Sequence, residues 1–272
     1  MTLATRDEIP AATRIVVKVG SSSISGDNAE QIGLLVDALA TAHARGAEIV
    51  LVSSGAIATA IPFLSLDGRP TDLATQQAAA AVGQNVLMWR YQTSLDRYGV
   101  LAGQVLLTAG DLENATPRSN AQRAMDRLLA LRILPIVNEN DTVATHEIRF
   151  GDNDRLAALV AELIGAELLV LLSDVDALYT KPPYLDGARR IDHVAHGDEL
   201  AGVEIGSVGR AGVGTGGAET KVSAARIAAD AGTAVLITAT PLVAEALAGH
   251  DVGTWFDAAS EGRTAEHDAP LA

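Results

Sequence analysis

Two lysines, an acid and two clusters of amides and carboxylates are the residues of this chain that could do chemistry. Lys18 interrupts the apolar run RIVVKV (residues 14–19) just before Gly20 and three serines. A lysine near the carboxyl end of a buried strand is costly unless it faces a cleft or an anion. Ligands of open α/β sheets bind at that end, which places Lys18 and Gly20 well for one. Lys221 follows the glycine-rich stretch GVGTGGAET (residues 212–220) and stands at the start of a helical pattern. Glycines there permit positive φ, so successive N–H groups can form a nest for phosphate oxygens. A cation at a helix start opposes the dipole, and a bound phosphate would offset that cost. The stretch does not match G-x-x-x-x-G-K-[ST], and it does not follow the first strand, so it is neither a Walker loop nor a dinucleotide fingerprint.

Asp154 is the acid. Two lysines from distant segments with one carboxylate suggest phosphoryl transfer, in which positioning and charge neutralisation do most of the catalysis. An acid between the lysines would hold them in place, and Mg²⁺ is expected with the nucleotide. The amide and carboxylate clusters lie in PIVNENDTVATHEIRFGDNDRL (residues 135–156). Asn138, Glu139, Asn140 and Asp141 end one apolar run, and Asp152, Asn153 and Asp154 open the next helical pattern. Between them is a loop with a short extended piece around residues 147–150. Such a density of acceptors and amides reads as a site for something small and polar. Ser54 and Gly55 follow the second apolar run, in the strand, turn, helix arrangement where backbone amides meet an anion.

Composition narrows the partners. The chain has 272 residues and a formal net charge of -14. With no basic tract, nucleic acid is not the expected partner. There are no cysteines, so disulfides and thiolate metal sites are excluded. The histidines are scattered without metal-ligand spacing. No apolar run approaches the ~20 residues of a membrane helix, and residues 1–14 lack the apolar core of a secretory signal. The expected location is the cytoplasm, with no membrane partner.

The elements that must position these residues alternate. Strands are expected at 14–19, 48–52, 100–107, 133–137, 167–172, 234–237 and 252–256. Helices are expected at 29–44, 73–97, 119–131, from an Asn153 or Asp154 cap to 164, at 222–231 and at 242–248. In the long Ala-rich helix, Gly83 reads as a possible break, and residues 78–81 as a surface for close packing on another subunit or a sheet. Residues 177–206 read as a hairpin lobe. The alternation predicts one parallel-rich sheet with helices on both faces.

Taken in order, VKVGSS, SSGA, NENDTVAT, FGDNDRLAAL, LLSDVDALYT and GVGTGGAETK resemble the glutamate 5-kinases of the amino acid kinase family. The resemblance covers roughly residues 14–256. It implies an αβα sandwich around a mostly parallel sheet of about eight strands, and ATP-dependent phosphorylation of the L-glutamate γ-carboxylate, the first step of proline biosynthesis. It implies catalytic roles for Lys18, Asp154 and Lys221, and a glutamate site of Ser54, Gly55, Asn138, Asp141, Asp152 and Asn153. ATP would be held by Lys18, Gly20, Ser173, Asp174, Thr215, Gly216, Gly217, Ala218, Glu219, Thr220 and Lys221, with Mg²⁺ on the nucleotide and no direct protein ligand. L-proline is the implied feedback inhibitor, and a homodimer or homotetramer the implied assembly. The expected organisation is an N-terminal extension (1–13), a kinase domain (14–257) and a disordered tail (258–272), without the C-terminal PUA domain of many family members. Ala177 and Ala218 depart from the family's usual Gly and Met beside the nucleotide.

Overall fold

The computed structural model describes residues 2–28, 30–143, 152–201, 203 and 217–259. In chain order the elements are β1 (Arg14–Val19), α1 (Gln31–Ala44), β2 (Glu48–Ser53), α2 (Ala56–Ala60), α3 (Leu73–Leu95), β3 (Ala102–Leu107), α4 (Ala109–Glu113), α5 (Ala115–Ala130), β4 (Leu134–Glu139), α6 (Asp152–Ile164), β5 (Leu168–Ser173), β6 (Leu178–Tyr179), β7 (Arg190–Ile191), β8 (His193–Val194), α7 (Ala218–Asp230), β9 (Ala234–Ala239), α8 (Val243–Leu247) and β10 (Thr254–Phe256).

Eight strands form one sheet in the order β3-β4-β2-β1-β5-β9-β10-β8. Pairing is parallel from β3 to β9, and β10 returns antiparallel on β9. The central strands are continuous apolar runs because both their faces are covered, as parallel sheets require. Ile15, Val17 and Val19 pack in one core with α1, α3 and α8. Val16 packs in the other core, with α5, α6 and α7. That parity assigns each polar residue at a strand's end to one layer or the other.

Several boundaries differ from expectation. β4 runs on through Asn138 and Glu139, which pair with Leu106 and Leu107 of β3. Part of the first polar cluster is therefore strand, held by the ladder. α6 begins at Asp152, so Asn153 and Asp154 lie within its first turn and do not cap it. α5 begins at Ala115 and takes Pro117 into its first turn, where a missing N–H costs little. Helix α3 passes through Gly83 without a break. Of the alanines expected to pack on another subunit or a sheet, Ala79 and Ala80 are buried in a small cluster with Ile57 and Ala60 of α2, while Ala78 and Ala81 are exposed.

The hairpin of the 177–206 lobe is present as β6 on β7, but β8 leaves it to join the main sheet beside β10. The N-terminal extension is docked. Its 3-10 turn, Arg6–Ala11, buries Ile9, and Arg6 donates to the carbonyls of Val252 at 3.1 Å and Gly253 at 3.0 Å. Of the expected tail, Ala259 donates its N–H to Ala229 at 2.9 Å, and residues 260–272 lie outside the described residues. So do the extended piece at 147–150 and the glycine-rich stretch up to Gly216, including Thr215.

Candidate active site

Lys18 shares strand parity with Val16, so its side chain is delivered to the layer of α6 and α7. There it meets Asp154. Lys18 Nζ lies 2.5 Å from Asp154 Oδ1, and Lys221 Nζ lies 3.2 Å from Oδ2. The Thr220 hydroxyl donates to Oδ2 at 2.8 Å. Asp154 is 0% exposed, Lys18 4% and Lys221 6%. Burial by itself would raise the Asp154 carboxyl. The ammonium groups of Lys18 and Lys221, with hydrogen bonds from Lys18 and Thr220, outweigh it and hold the pKa down to about 2. Burial lowers the Lys18 ammonium, Asp154 opposes that, and Lys221 adds to it. Two cations on one carboxylate leave this buried triad net positive, and each ammonium carries three donors. It is a cradle for an anion, with the lysines spaced by the acid they share.

The loop after β2 is stitched to the end of β1. Ser54 N–H donates to the Val19 carbonyl at 3.2 Å. Gly55 has φ +96, and a β-carbon there would lie 3.3 Å from Ser21 Cα. Only glycine turns the chain this tightly into α2 while the two loops touch. Ser53, on the opposite face of the sheet from Lys18, hydrogen-bonds the Tyr91 hydroxyl of α3 at 2.9 Å. Gly83 supports the same loop: a β-carbon there would fall 1.7 Å from the Ala56 carbonyl oxygen. The backbone of α3 thus lies directly against the first residue of α2.

Asn138 is 3% exposed and Asp141 8%. Asn138 Oδ1 accepts from the Glu139 N–H at 2.9 Å. Its Nδ2 is buried with no partner among the described residues, as is Asn153 Oδ1. Buried amide atoms left unpaired cost about 1–3 kcal/mol each, a cost that a polar ligand would remove. Asp141, in the 3-10 turn Asp141–Val143, interacts electrostatically with Arg69, whose guanidinium is lowered by burial and raised by this carboxylate. Asp152 is the first residue of α6.

Ser173 and Asp174 stand at the end of β5, the strand beside β1, and the Ser173 hydroxyl donates to Asp174 at 3.2 Å. Gly217 precedes α7, and Ala218, Glu219, Thr220 and Lys221 form its first turn. Gly20 lies at the β1 terminus, where a β-carbon would be 3.9 Å from Lys18 Nζ. Ala177 is buried, at 6% exposure.

The structure therefore joins Lys18, Asp154, Thr220 and Lys221 in direct contact. It places Ser54, Gly55, Asn138 and Asp141 at the ends of the neighbouring strands. Sequence reasoning missed the supports: Tyr91 under Ser53, Gly83 against Ala56, and Arg69 near Asp141. For Gly83 there was a signal, a glycine inside an Ala-rich helix, where it costs about 1 kcal/mol without a packing reason. For Arg69 and Tyr91 there was none.

A model of the amino acid kinase family matches residues 13–239. Among curated proteins, a glutamate 5-kinase of Leifsonia xyli subsp. xyli is 74% identical over 270 residues, covering 99% of this chain and 99% of that protein. A glutamate 5-kinase of Clavibacter sepedonicus is 75% identical over 256 residues, 94% of this chain and 98% of that one. One of Streptomyces coelicolor is 57% identical over 257 residues, which is 93% of this chain and 69% of that protein. Among solved structures, a carbamate kinase from Giardia lamblia bound to AMP-PNP aligns with TM-score 0.65 at 16% identity. It covers 92% of this chain and 100% of that chain, a likeness of fold.

Proposed function

The chain belongs to the amino acid kinase family, in the company of its glutamate 5-kinases, and from this we propose that it transfers the γ-phosphoryl group of ATP to the γ-carboxylate of L-glutamate. That reaction is the first step of proline biosynthesis. The observation that carries the proposal is the two-sided grip of Asp154 on Lys18 and Lys221. A carboxylate attacking a triphosphate brings two anions together, and charge builds on the transferring oxygens. Two buried ammonium groups held at fixed separation lower that barrier without reorganising during the reaction. The acyl phosphate needs no covalent enzyme intermediate, and hence no histidine or cysteine.

Glutamate would lie across the ends of β2 and β4. Ser54, Gly55, Asn138, Asn153 and Asp152 supply hydrogen-bonding groups for it, and Asp141 supplies a counter-charge for its ammonium. ATP would take Gly20, Ser173, Asp174, Thr215, Gly216, Gly217, Ala218, Glu219, Thr220 and the two lysines. Asp154 is already spent on two lysines and a threonine. Magnesium would therefore be carried by the nucleotide's own phosphates, adding its charge to that of the lysines.

L-proline keeps the ammonium and α-carboxylate of glutamate, which supports its role as a competing feedback inhibitor at the same clusters. The exposed face of α3 supports a homodimer or homotetramer. Ala74, Ala78, Ala81, Val82, Asn85, Trp89 and Thr93 lie on it with no charge among them, and Trp89 is 66% exposed. We place the kinase domain at residues 14–257 and the protein in the cytoplasm.

The test is glutamate-dependent ATP consumption with hydroxylamine trapping of the acyl phosphate, with and without proline. The expected result is a γ-glutamyl hydroxamate whose formation proline suppresses. Faster turnover of N-acetylglutamate or aspartate than of glutamate would overturn the substrate assignment.

A further inference from the structure

Gln84 is a buried amide with an unpaired donor. It sits on α3, is 8% exposed, and its Nε2 has no hydrogen-bond partner among the described residues. Its Oε1 accepts from Gln104 Nε2 at 3.5 Å. A buried primary amide with its acceptor engaged and its donor free costs stability, and a stable helix does not need one there.

Three contacts locate it. The preceding residue, Gly83, lies against Ala56, directly after Ser54 and Gly55. Helix α3 also packs on the 3-10 turn Asp141–Val143. Gln104 pairs in the sheet with Ile136, and the next residue of β4 on the same face as Ile136 is Asn138. The Gln84 amide therefore lies next to the residue that meets the start of α2, is directed toward the β3–β4 face that leads to Asn138, and belongs to the helix that packs on the Asp141 turn. These are three walls of the amino-acid site proposed above, and the inference rests on that reading.

The two faces of the sheet divide the work. Lys18 projects to the α6 and α7 layer and Asn138 to the α3 layer, by the parity of Val16 and Ile136. The reacting γ-carboxylate must approach the lysines. The α-ammonium and α-carboxylate then extend toward α3. Asp141 matches the ammonium, and alongside Asn138 Nδ2 the Gln84 Nε2 is, among the described residues, a second unpaired neutral N–H donor for an α-carboxylate on this side.

We propose that Gln84 donates its free Nε2 hydrogen to the α-carboxylate of the bound amino acid, and that Gln104 fixes the amide in that orientation. Gln84 is then a specificity residue, selecting a free α-carboxylate far from the phosphoryl-transfer triad.

The experiment measures steady-state kinetics of the wild type, Gln84→Leu, Gln84→Asn and Gln104→Leu, with L-glutamate and with its α-amide, L-isoglutamine. The expected result for Gln84→Leu is a rise of about tenfold or more in the glutamate KM, the scale of a hydrogen bond to a charged group. Its kcat should stay within about threefold and the ATP KM should not move. The preference for glutamate over isoglutamine should fall by the same factor, which lost packing alone would not produce. Gln104→Leu should give a smaller rise of the same kind. An unchanged glutamate KM, or equal losses with both substrates, would overturn the proposal. Should Gln84→Leu fail to fold, Gln84→Asn, one methylene short of the same reach, is read by the same criteria. Asp141→Ala is measured alongside. If it raises the glutamate KM and the Gln84 variants do not, the site stands and the proposal falls. If neither does, the amino acid binds elsewhere and both fall.

Discussion

Gly83 and Ala56 are in backbone contact: a β-carbon at Gly83 would sit 1.7 Å from the Ala56 carbonyl oxygen. Ala56 opens α2 directly after Gly55, whose φ of +96 sets the turn from β2. Helix α3 is therefore a backstop for the Ser54–Gly55 loop. Gly83→Ala must push α2 or α3 away, so we expect a loss of about 1–3 kcal/mol in stability, the usual cost of overpacking. A raised glutamate KM should accompany it. Urea denaturation with parallel kinetics checks this, and wild-type values in both would show that the contact is not tight.

Lys18→Ala and Lys221→Ala should each lower kcat by about 10²-fold or more, the scale of a lost electrostatic stabiliser worth ~3 kcal/mol. Near-normal turnover in both variants would remove them from the mechanism.

Asp154→Asn tests the positioning of the lysines. It removes the shared anion from two buried ammonium groups, and breaking such a pair one partner at a time costs roughly 3–5 kcal/mol. The variant should melt earlier and turn over slowly even where it is folded. Wild-type thermal stability would mean that another anion replaces Asp154.

The same carboxyl predicts a pH dependence. Its folded pKa is about 2, below the ordinary Asp value of about 3.9. The stability it contributes is fully present above about pH 4 and is lost as pH falls toward about 2, on the order of 2–3 kcal/mol. The difference in unfolding free energy between wild type and Asp154→Asn should shrink across that window. On the alkaline side the sign differs, because burial lowers the Lys18 ammonium. The burial cost of the charged lysine is present at neutral pH and is relieved as it deprotonates. Activity that requires the ammonium should therefore fall with a midpoint below 10.5. A pH–kcat/KM profile, which reports the free enzyme, level through pH 10.5 would contradict this.

Asp141→Ala should raise the glutamate KM with a smaller effect on kcat if, as proposed, Asp141 is the counter-charge of the glutamate ammonium. It lies in the 3-10 turn against α3 and interacts with Arg69. An unchanged KM would move the ammonium of glutamate elsewhere.

Much of this was legible along the chain. The alternation of apolar strands with helical periods determined the parallel sheet, since each pattern has one way to bury its face. Lysine at a strand end, the NEND and GDND clusters and the glycine-rich approach to Lys221 pointed to phosphoryl transfer and a small polar substrate. They are costly to build without a ligand, and each cost shows in a few adjacent residues.

Tertiary structure decided which of these groups meet. A strand apolar on both sides does not reveal in its sequence which face Lys18 takes. The packing of α6 and α7 chose it, and brought Asp154 and Lys221 to it from distant segments. Gly83 looked like a helix break because local propensity counts only its flexibility. In the fold it is where the backbone of α3 meets the start of α2, and its missing side chain is the reason it can. Gln84 and Gln104 resemble ordinary helix and strand polar residues until the sheet places one against the other. Periodicity and caps are local and can be read along the chain. The partner of a buried polar atom depends on register, face and layer, which exist only once the sheet and its helices are assembled.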